Sequence, residues 1–490
     1  MTVLLHLPVL AVVISLLGAY LIPLIYHFRR NLASVVAVGI SGLALCFSAA
    51  TAVYVSRYGA FSYLLGMWSI PWGIEVYVDR MSAFMMLVIS SITFLVMLYA
   101  MEDVRHELTE APRKWYWTLN LLLLASMMGV VMAGDLFNLF VFVEISSIAA
   151  CGTISVKGDR RAVEATFRYL VLSTLGSGAL LLSIALLYMV TGNLNMTYIS
   201  GEIQKAAFLY PKNLYAALTF MVVGFGVKSA LFPLHSWLPD AHSAAPAPSS
   251  AVLSGLVVKI YIFALFQVLS RVFGPVIAGI PVETVVLLMA TMAVVLGSVL
   301  AMGQKELKRM LAYSTVAQVG YVFMGLALGA DRAVAGGMMH ILTHALMKSS
   351  LFLAAGSVLY KTGKKNITDL AGLGPRMPVT MGVFSLAAAS MIGVPLLGGF
   401  VSKWYLALGA TDAGKSFYAL IIIVSSFLTA LYFLPPVISA FFGKQPDDSV
   451  GKGIDEAPAV MLVPMVILSI ALLGVGLFPS LVLGLLGYRG

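Results

Sequence analysis

Apolar runs long enough to cross a bilayer constrain this chain more than any other feature. A spanning helix needs about 20 predominantly apolar residues. Fourteen stretches qualify, near 2–25, 33–55, 81–101, 115–133, 135–155, 166–190, 213–233, 249–270, 282–302, 309–329, 334–360, 379–407, 416–442 and 459–487. The predicted fold class is therefore an all-α polytopic membrane protein with about 14 transmembrane helices. Composition agrees: 60% of the 490 residues are hydrophobic and only 10% are charged, against about 25% charged in soluble domains. The first run is too long for the core of a signal peptide and lacks a small-residue cleavage site, so it reads as a retained helix. The loops look short, with no segment suited to a soluble domain. One connection, 56–80, is rich in aromatic residues and alternation and predicts an interfacial hairpin.

The net charge of +9 would suggest nucleic acid in a soluble protein. Here basic residues instead fix the orientation of loops. One set of alternate loops holds Arg29, Arg30, Arg105, Arg113, Lys114, Lys157, Arg160, Arg161, Lys305, Lys308, Arg309, Lys361, Lys364, Lys365, Arg376, Lys444 and Lys452. The other set holds Arg57, Arg80, Lys205, Lys212, Arg271, Arg332, Lys415 and Arg489. The bias of about two to one predicts both termini outside, an even number of spans and residence in the cytoplasmic (inner) membrane.

Against this apolar background stands a sparse row of ionisable side chains: Glu144, Lys228, Lys259, His340, His344, Lys348 and Lys403. A charge at membrane depth costs roughly 2.5–3.5 kcal/mol on insertion scales. Seven such positions predict a proton or ion path. Glu144 reads as the only acid deep in a span, serving as a proton acceptor, as a structural partner for a cation, or as both. Lys228, Lys259 and Lys403 can switch between charged and neutral because burial disfavours the ammonium. His340, His344 and Lys348 share one helix face at i, i+4, i+8. They form either a packed hydrogen-bonded group or a relay. A metal reading of the His pair lacks a third ligand. His235, beside a helix break, is a further path candidate. Asp135 reads as a helix-end acid and Arg168 as an interface anchor. Cys46 and Cys151 read as small buried apolar residues. No nucleotide loop, nucleophile triad or cysteine cluster is present, so the chain is expected to have no catalytic site, cofactor or metal of its own.

The sequence also repeats weakly. An offset of 171 lays RAVEATFRYLVLSTLGSGALL (161–181) on RAVAGGMMHILTHALMKSSLF (332–352), and lays Glu144 on Thr315. An offset of 167 lays Gly226, Val227 and Trp237 on Gly393, Val394 and Trp404. Helices 4–8 thus resemble helices 9–13. Five is odd, so the copies cross in opposite senses as inverted repeats. Each copy carries a Gly/Pro break, at VKSALFPLHSWLPDAH and at GVPLLGGFVSKW. The expected division is 1–110 for the N-terminal helices, 111–272 and 273–443 for the two repeats, and 444–490 for the last helix.

The stretches GDLFNLFVFVEISSIA, GVKSALFPLHSWLPDAHSAAPAPSSAVLSGLVVKIYIF, HILTHALMKSSLF and GGFVSKWYL resemble the antiporter-like subunits of respiratory complex I and its relatives. The first looks most like the D-type subunit of Mrp sodium/proton antiporters and the equivalent subunit of membrane-bound hydrogenases. The resemblance implies fourteen helices, two inverted five-helix repeats with broken helices 7 and 12, and a proton line Glu144–Lys228–Lys259–His344–Lys403. It implies a proton-translocating subunit that works with other membrane subunits of a cation/proton antiporter. The alternative is the pumping subunit of a membrane-bound hydrogenase or complex I-like oxidoreductase. Protons are the expected cargo, and sodium is left open. Thr315 stands where the second repeat would carry its own acid. Lys403 is thus expected to lack a partner within the chain and to take one from a neighbouring subunit.

Overall fold

The computed structural model describes residues 2–274, 282–443 and 453–488. Lys444, Lys452 and Arg489, used above to orient the loops, lie outside them. Almost everything described is helical. The N-terminal group is α1 (Thr2–Phe28), α2 (Arg30–Tyr58) and α3 (Arg80–Glu107). The stretch expected from the sequence to form the first repeat holds α4 (Glu110–Met132), α5 (Leu136–Ser155), α6 (Arg160–Thr191), α7 (Met196–Leu209), α8 (Pro211–Lys228), α9 (Trp237–Ala244), α10 (Ala247–Val252) and α11 (Val258–Val268). The second holds α12 (Val282–Met302), α13 (Leu307–Leu328), α14 (Asp331–Thr362), α15 (Pro378–Ile392), α16 (Gly398–Asp412) and α17 (Phe417–Phe442). The chain continues through α18 (Ala459–Leu477) and α19 (Pro479–Leu486).

Among the described residues, 12 helices are long and apolar enough to span a membrane, with α10 and α11 joined into one. The broken pairs α8–α9 and α15–α16 stand where the sequence predicts broken helices 7 and 12. Acidic and amide side chains start several helices by accepting from freed backbone N–H groups. Asp79 caps α3 through Ser82 N at 2.7 Å, Asp135 caps α5 through Asn138 N at 2.6 Å, and Asp159 caps α6 through Ala162 N at 2.7 Å. The 14-residue helix α7 was not anticipated from the hydropathy pattern. It is too short to span, and Asn195 caps it.

The 56–80 connection is a two-stranded antiparallel hairpin, β1 (Phe61–Leu64) against β2 (Glu75–Val78). Its tip exposes Met67, Trp68 and Trp72. His6 Nδ1 lies 2.9 Å from Tyr63 Oη, which ties the start of α1 to this hairpin.

Each break has a local cause. In the first, Ala230 turns to φ +55° just after Lys228, which ends α8, and the indole of Trp237 donates to Val227 O at 2.9 Å, a carbonyl that also accepts from Ala230 N at 3.2 Å. In the second, Gly393 closes α15 with φ +96°, a left-handed conformation that favours glycine. Gly399 lies so close to Ser390 that a Cβ would come within 1.9 Å of its carbonyl oxygen. Ser390 Oγ accepts from Gly399 N at 3.0 Å. Irregular backbone at membrane depth is tolerated where protein groups satisfy it in this way.

Candidate functional site

Each break sets a lysine ammonium by a helix C-terminus, where carbonyl dipoles favour a cation: Lys228 ends α8, and Lys403, on α16, reaches the last carbonyls of α15. Lys228 is the last residue of α8 and is buried. Its Nζ donates to Ser147 Oγ at 2.5 Å, to Ser173 Oγ at 2.9 Å and to Glu144 Oε1 at 3.1 Å. Three acceptors match the three N–H donors of an ammonium. Ser177 Oγ donates to the same carboxylate oxygen of Glu144. Helices α5, α6 and α8 therefore meet at one ion pair. Glu144 itself is not deeply enclosed: its side chain is 33% exposed, against 1% for Lys228. Along the same stripe of α5, Phe137, Val141 and Ile148 are also exposed. The acid sits at the outer edge of the bundle, in an otherwise apolar stripe. A second buried acid lies within a candidate span, near its end rather than deep in it. Asp103 of α3 is 4% exposed and one of its carboxylate oxygens has no hydrogen-bond partner. Placing the end of that span at residue 101 made Asp103 look like a loop residue.

Lys403, on α16, is also buried. Its Nζ donates to Met391 O at 2.8 Å, to Ile392 O at 3.2 Å and to Ser426 Oγ at 3.1 Å, and it lies 4.9 Å from the centre of the Tyr321 ring. The expectation of a lysine with no partner in this chain is corrected. The C-terminal carbonyls of α15, exposed by the break, occupy the place an acid would take.

Between the two lysines the polar groups form separate clusters. Lys259 donates to Ser254 O, within the π-helical turn Leu253–Val257. Such turns release a carbonyl from the regular ladder and cluster at functional sites. Ser254 Oγ lies 2.7 Å from Thr315 Oγ1, the residue aligned with Glu144 by the repeat. Lys348 donates to Leu311 O at 2.7 Å and to Ser314 Oγ. His340 Nδ1 is 2.8 Å from Ser402 Oγ, and its Nε2 is 2.9 Å from Gln318 Oε1. The His340 and His344 rings stack with centres 5.9 Å apart, yet neither nitrogen of His344 has a hydrogen-bond partner. His242, left unassigned from sequence, is fully buried with both ring nitrogens unpaired. His235 is half-buried, stacks on Phe232 at 4.9 Å, and has an unpaired Nδ1. Buried polar atoms are nearly always hydrogen-bonded, and these ring nitrogens are exceptions among the described residues. The direct hydrogen bonds do not run unbroken from Glu144 to Lys403. They form islands separated by such rings.

Sequence reasoning missed the hydroxyl and amide partners Ser147, Ser173, Ser177, Gln318, Ser402 and Ser426. It also treated Lys308 as a loop residue. Lys308 is buried in α13 and donates to Ala245 O. Arg168 is more than an interface anchor: it pairs with Asp240 at 2.7 Å and with Glu164 at 2.8 Å, and Arg309 joins Asp240 at 3.0 Å. Among the described residues, no group of three or more His, Cys, Asp or Glu could hold a metal ion.

Residues 133–429 match the family described as NADH:quinone oxidoreductase/Mrp antiporter, transmembrane, and residues 65–107 match the N-terminus of chain 5 of NADH-ubiquinone oxidoreductase (complex I). The chain is 38% identical to NADH-quinone oxidoreductase subunit N of Desulforudis audaxviator, covering 96% of each. It is 30% identical to the D-type subunit of the Na(+)/H(+) antiporter of Alkalihalophilus pseudofirmus, covering 93% of this chain and 91% of that one. It superposes with TM-score 0.90 and 30% identity on a chain of the membrane-bound sulfane sulfur reductase, an archaeal respiratory membrane complex, covering 98% of this chain and 96% of that one. The charged row, the two matching breaks and these likenesses coincide, and the chain belongs to the NADH:quinone oxidoreductase/Mrp antiporter transmembrane family.

Proposed function

We propose that this chain is the proton-translocating membrane subunit of a multi-subunit cation/proton antiporter. Protons move along Glu144, Lys228, Lys259, His340, His344, Lys348 and Lys403, with His235 at the first break. The Glu144–Lys228 pair carries this reading. The acid and the lysine are 3.1 Å apart. Each stabilises the other's charge, so protonating one weakens the hold on the other. Pulling Glu144 from Lys228, or neutralising it, leaves a buried ammonium facing two serine hydroxyls. That favours release of a proton inward. At the other end, Lys403 is held by fixed carbonyls and serves as the terminal acceptor before exit.

Glu144 in an exposed apolar stripe also suggests a partner. An acid facing lipid is costly, and a neighbouring membrane subunit covering α5 removes that cost. The distribution of basic loops supports an orientation with Lys305, Lys364 and Lys365 on the cytoplasmic side of the inner membrane and both termini outside. A second reading, the pumping subunit of a redox-driven complex, is favoured by the 38% identity to a protein named as a subunit of an NADH-quinone oxidoreductase.

The test is transport by the purified, reconstituted assembly. Lys228→Ala is expected to abolish proton movement with the subunit composition intact. Undiminished transport would overturn the path. Co-purifying iron–sulfur or nickel subunits would select the redox-driven reading over the antiporter.

A further inference from the structure

Three exposed lysines stand on a loop pair whose geometry does not need them. Leu307 N donates to Lys365 O at 3.0 Å and Ile367 N to Lys305 O at 2.9 Å, tying the α12–α13 loop to the segment after α14. The 171-residue offset lays these two bonds on Leu136 N to Leu194 O at 2.9 Å and Met196 N to Gly134 O at 3.0 Å. The earlier copy builds the same bridge with Gly134, Asn193 and Leu194 in the places of Lys305, Lys364 and Lys365. There β2 lies against it, and Gly134 N donates to Glu75 O at 2.9 Å. In the later copy Lys305, Lys364 and Lys365 are all exposed. Among the described residues none of the three has an ion pair, and the acids beside them are engaged elsewhere. Glu306 pairs with Arg161, and Asp369 accepts from Asn366 N at 3.2 Å.

Beside this bridge, where α12 packs against α17, lies a crevice of about 510 Å3. Lys305, Asn366 and Thr368 line its polar end, and Met302, Leu431 and Pro435 belong to its apolar wall. Lys364 and Lys365 directly precede Asn366. Leu431 and Met302 are 61% and 39% exposed, so the wall is open along its side. Leu431 lies eleven residues before the end of α17 at Phe442, which is about 16 Å along a helix. That is roughly half of a hydrocarbon core about 30 Å thick, the depth of one leaflet. Cations at one end and an apolar wall one leaflet deep match the outline of a phospholipid. Any bilayer lipid has chains that suit the wall. Three unpaired ammonium groups favour one with a net negative headgroup.

We propose that the crevice is a binding site for an anionic phospholipid, with the phosphate headgroup at Lys305, Lys364 and Lys365 and an acyl chain lying along α12 and α17. The lysines add charge to a loop bridge that the earlier copy forms without them, so their contribution is to the headgroup rather than to the bridge. The site uses none of the residues of the proton path and stands apart from that reading.

The test uses the complete assembly in bilayers containing phosphatidylglycerol with a photoreactive diazirine in its acyl chain, or phosphatidylcholine with the same chain. Adducts are mapped by peptide mass spectrometry. The phosphatidylglycerol probe is expected to label α12 and α17 around Met302 and Leu431 at least about fivefold more than the phosphatidylcholine probe. Lys305→Gln/Lys364→Gln/Lys365→Gln is expected to bring its labelling down to the phosphatidylcholine level. Leu431→Trp fills the wall, keeps the lysines, and is expected to lower phosphatidylglycerol labelling at Met302 to a similar degree. Equal labelling by the two probes in the unsubstituted assembly overturns the site. So does an absence of labelling by either, the result if a neighbouring subunit covers the crevice. Undiminished labelling in the triple variant, or in Leu431→Trp, also overturns it. If the triple variant fails to assemble, the two-probe comparison and Leu431→Trp decide. Each of these results leaves the proton path standing, which is tested at Glu144 and Lys228.

Discussion

Lys228 and Lys403 sit at equivalent breaks in the two halves of the bundle and are held in different ways. Lys228 has a titratable partner, Glu144, plus two serine hydroxyls. Lys403 has two backbone carbonyls and one serine hydroxyl. A carboxylate can be neutralised or pulled away, so the field it imposes can be switched. Backbone carbonyls at a helix end cannot be protonated at any pH the protein survives, so their field is constant. On the proposed proton path, the first half changes the state of its lysine and the second receives a charge in a fixed setting. Thr315 fits this asymmetry. It takes the repeat position of Glu144 but bonds to Ser254, beside Lys259.

Substitutions at the two lysines should break the comparison most strongly. Lys403→Met is expected to reduce transport at least about a hundredfold, because it removes a station outright. Lys403→Arg should also fail, since guanidinium does not release its proton. Proton flux in reconstituted vesicles checks both. Full activity in Lys403→Arg would show that the terminal site holds charge without exchanging protons.

The hydroxyls sharpen the contrast. Hydrogen bonds to charged groups contribute about 1.5–3 kcal/mol. Ser147→Ala leaves Lys228 with one hydroxyl fewer and more dependent on Glu144, and should lower transport about tenfold. Ser426→Ala leaves two carbonyls on Lys403, so a smaller drop of about twofold to fivefold is expected. Equal effects in parallel flux measurements would erase the proposed difference between the halves.

The smallest effect is expected far from both sites. Asp455, ahead of α18, pairs with Lys361 and, at 3.2 Å, with Arg376. The hydrogen bond from Lys361 is the main cause holding its carboxyl below the usual range. A lowered acid stabilises the fold above its unfolded pKa, and the contribution disappears as pH falls through the folded value. The pair is 40% exposed on the Asp455 side, so Asp455→Asn should cost less than about 1 kcal/mol. Thermal melts of the detergent-solubilised assembly should show a small drop in Tm at neutral pH that closes under strong acid. Transport should be unchanged.

The helices and the charged row were legible because both break the statistics of a membrane sequence: one by length, the other by cost. The breaks were legible because Pro and Gly remove donors and allow left-handed turns. The hydroxyl partners were not. Serine is common in membrane helices and gives no hydropathy signal, although Ser147 lies three residues from Glu144 and so shares its face. The support of Lys403 was invisible for a deeper reason: it is backbone, exposed only by the geometry of the break. Asp103 and Lys308 were misplaced by helix ends drawn six and two residues short. The fine spacing of the path was also out of reach, because stacking of His340 on His344 with His344 unpaired depends on helix rotation rather than on periodicity.

The central claim is that Glu144 switches Lys228. The most direct measurement compares proton transport by the assembled complex carrying Glu144→Gln with the unsubstituted one, in the same vesicles and with equal subunit content. Glutamine keeps the size and accepts from Ser177 and Lys228, but it carries no charge and cannot exchange a proton. The account predicts an intact assembly with coupled transport abolished. An intact assembly transporting at the original rate would contradict it.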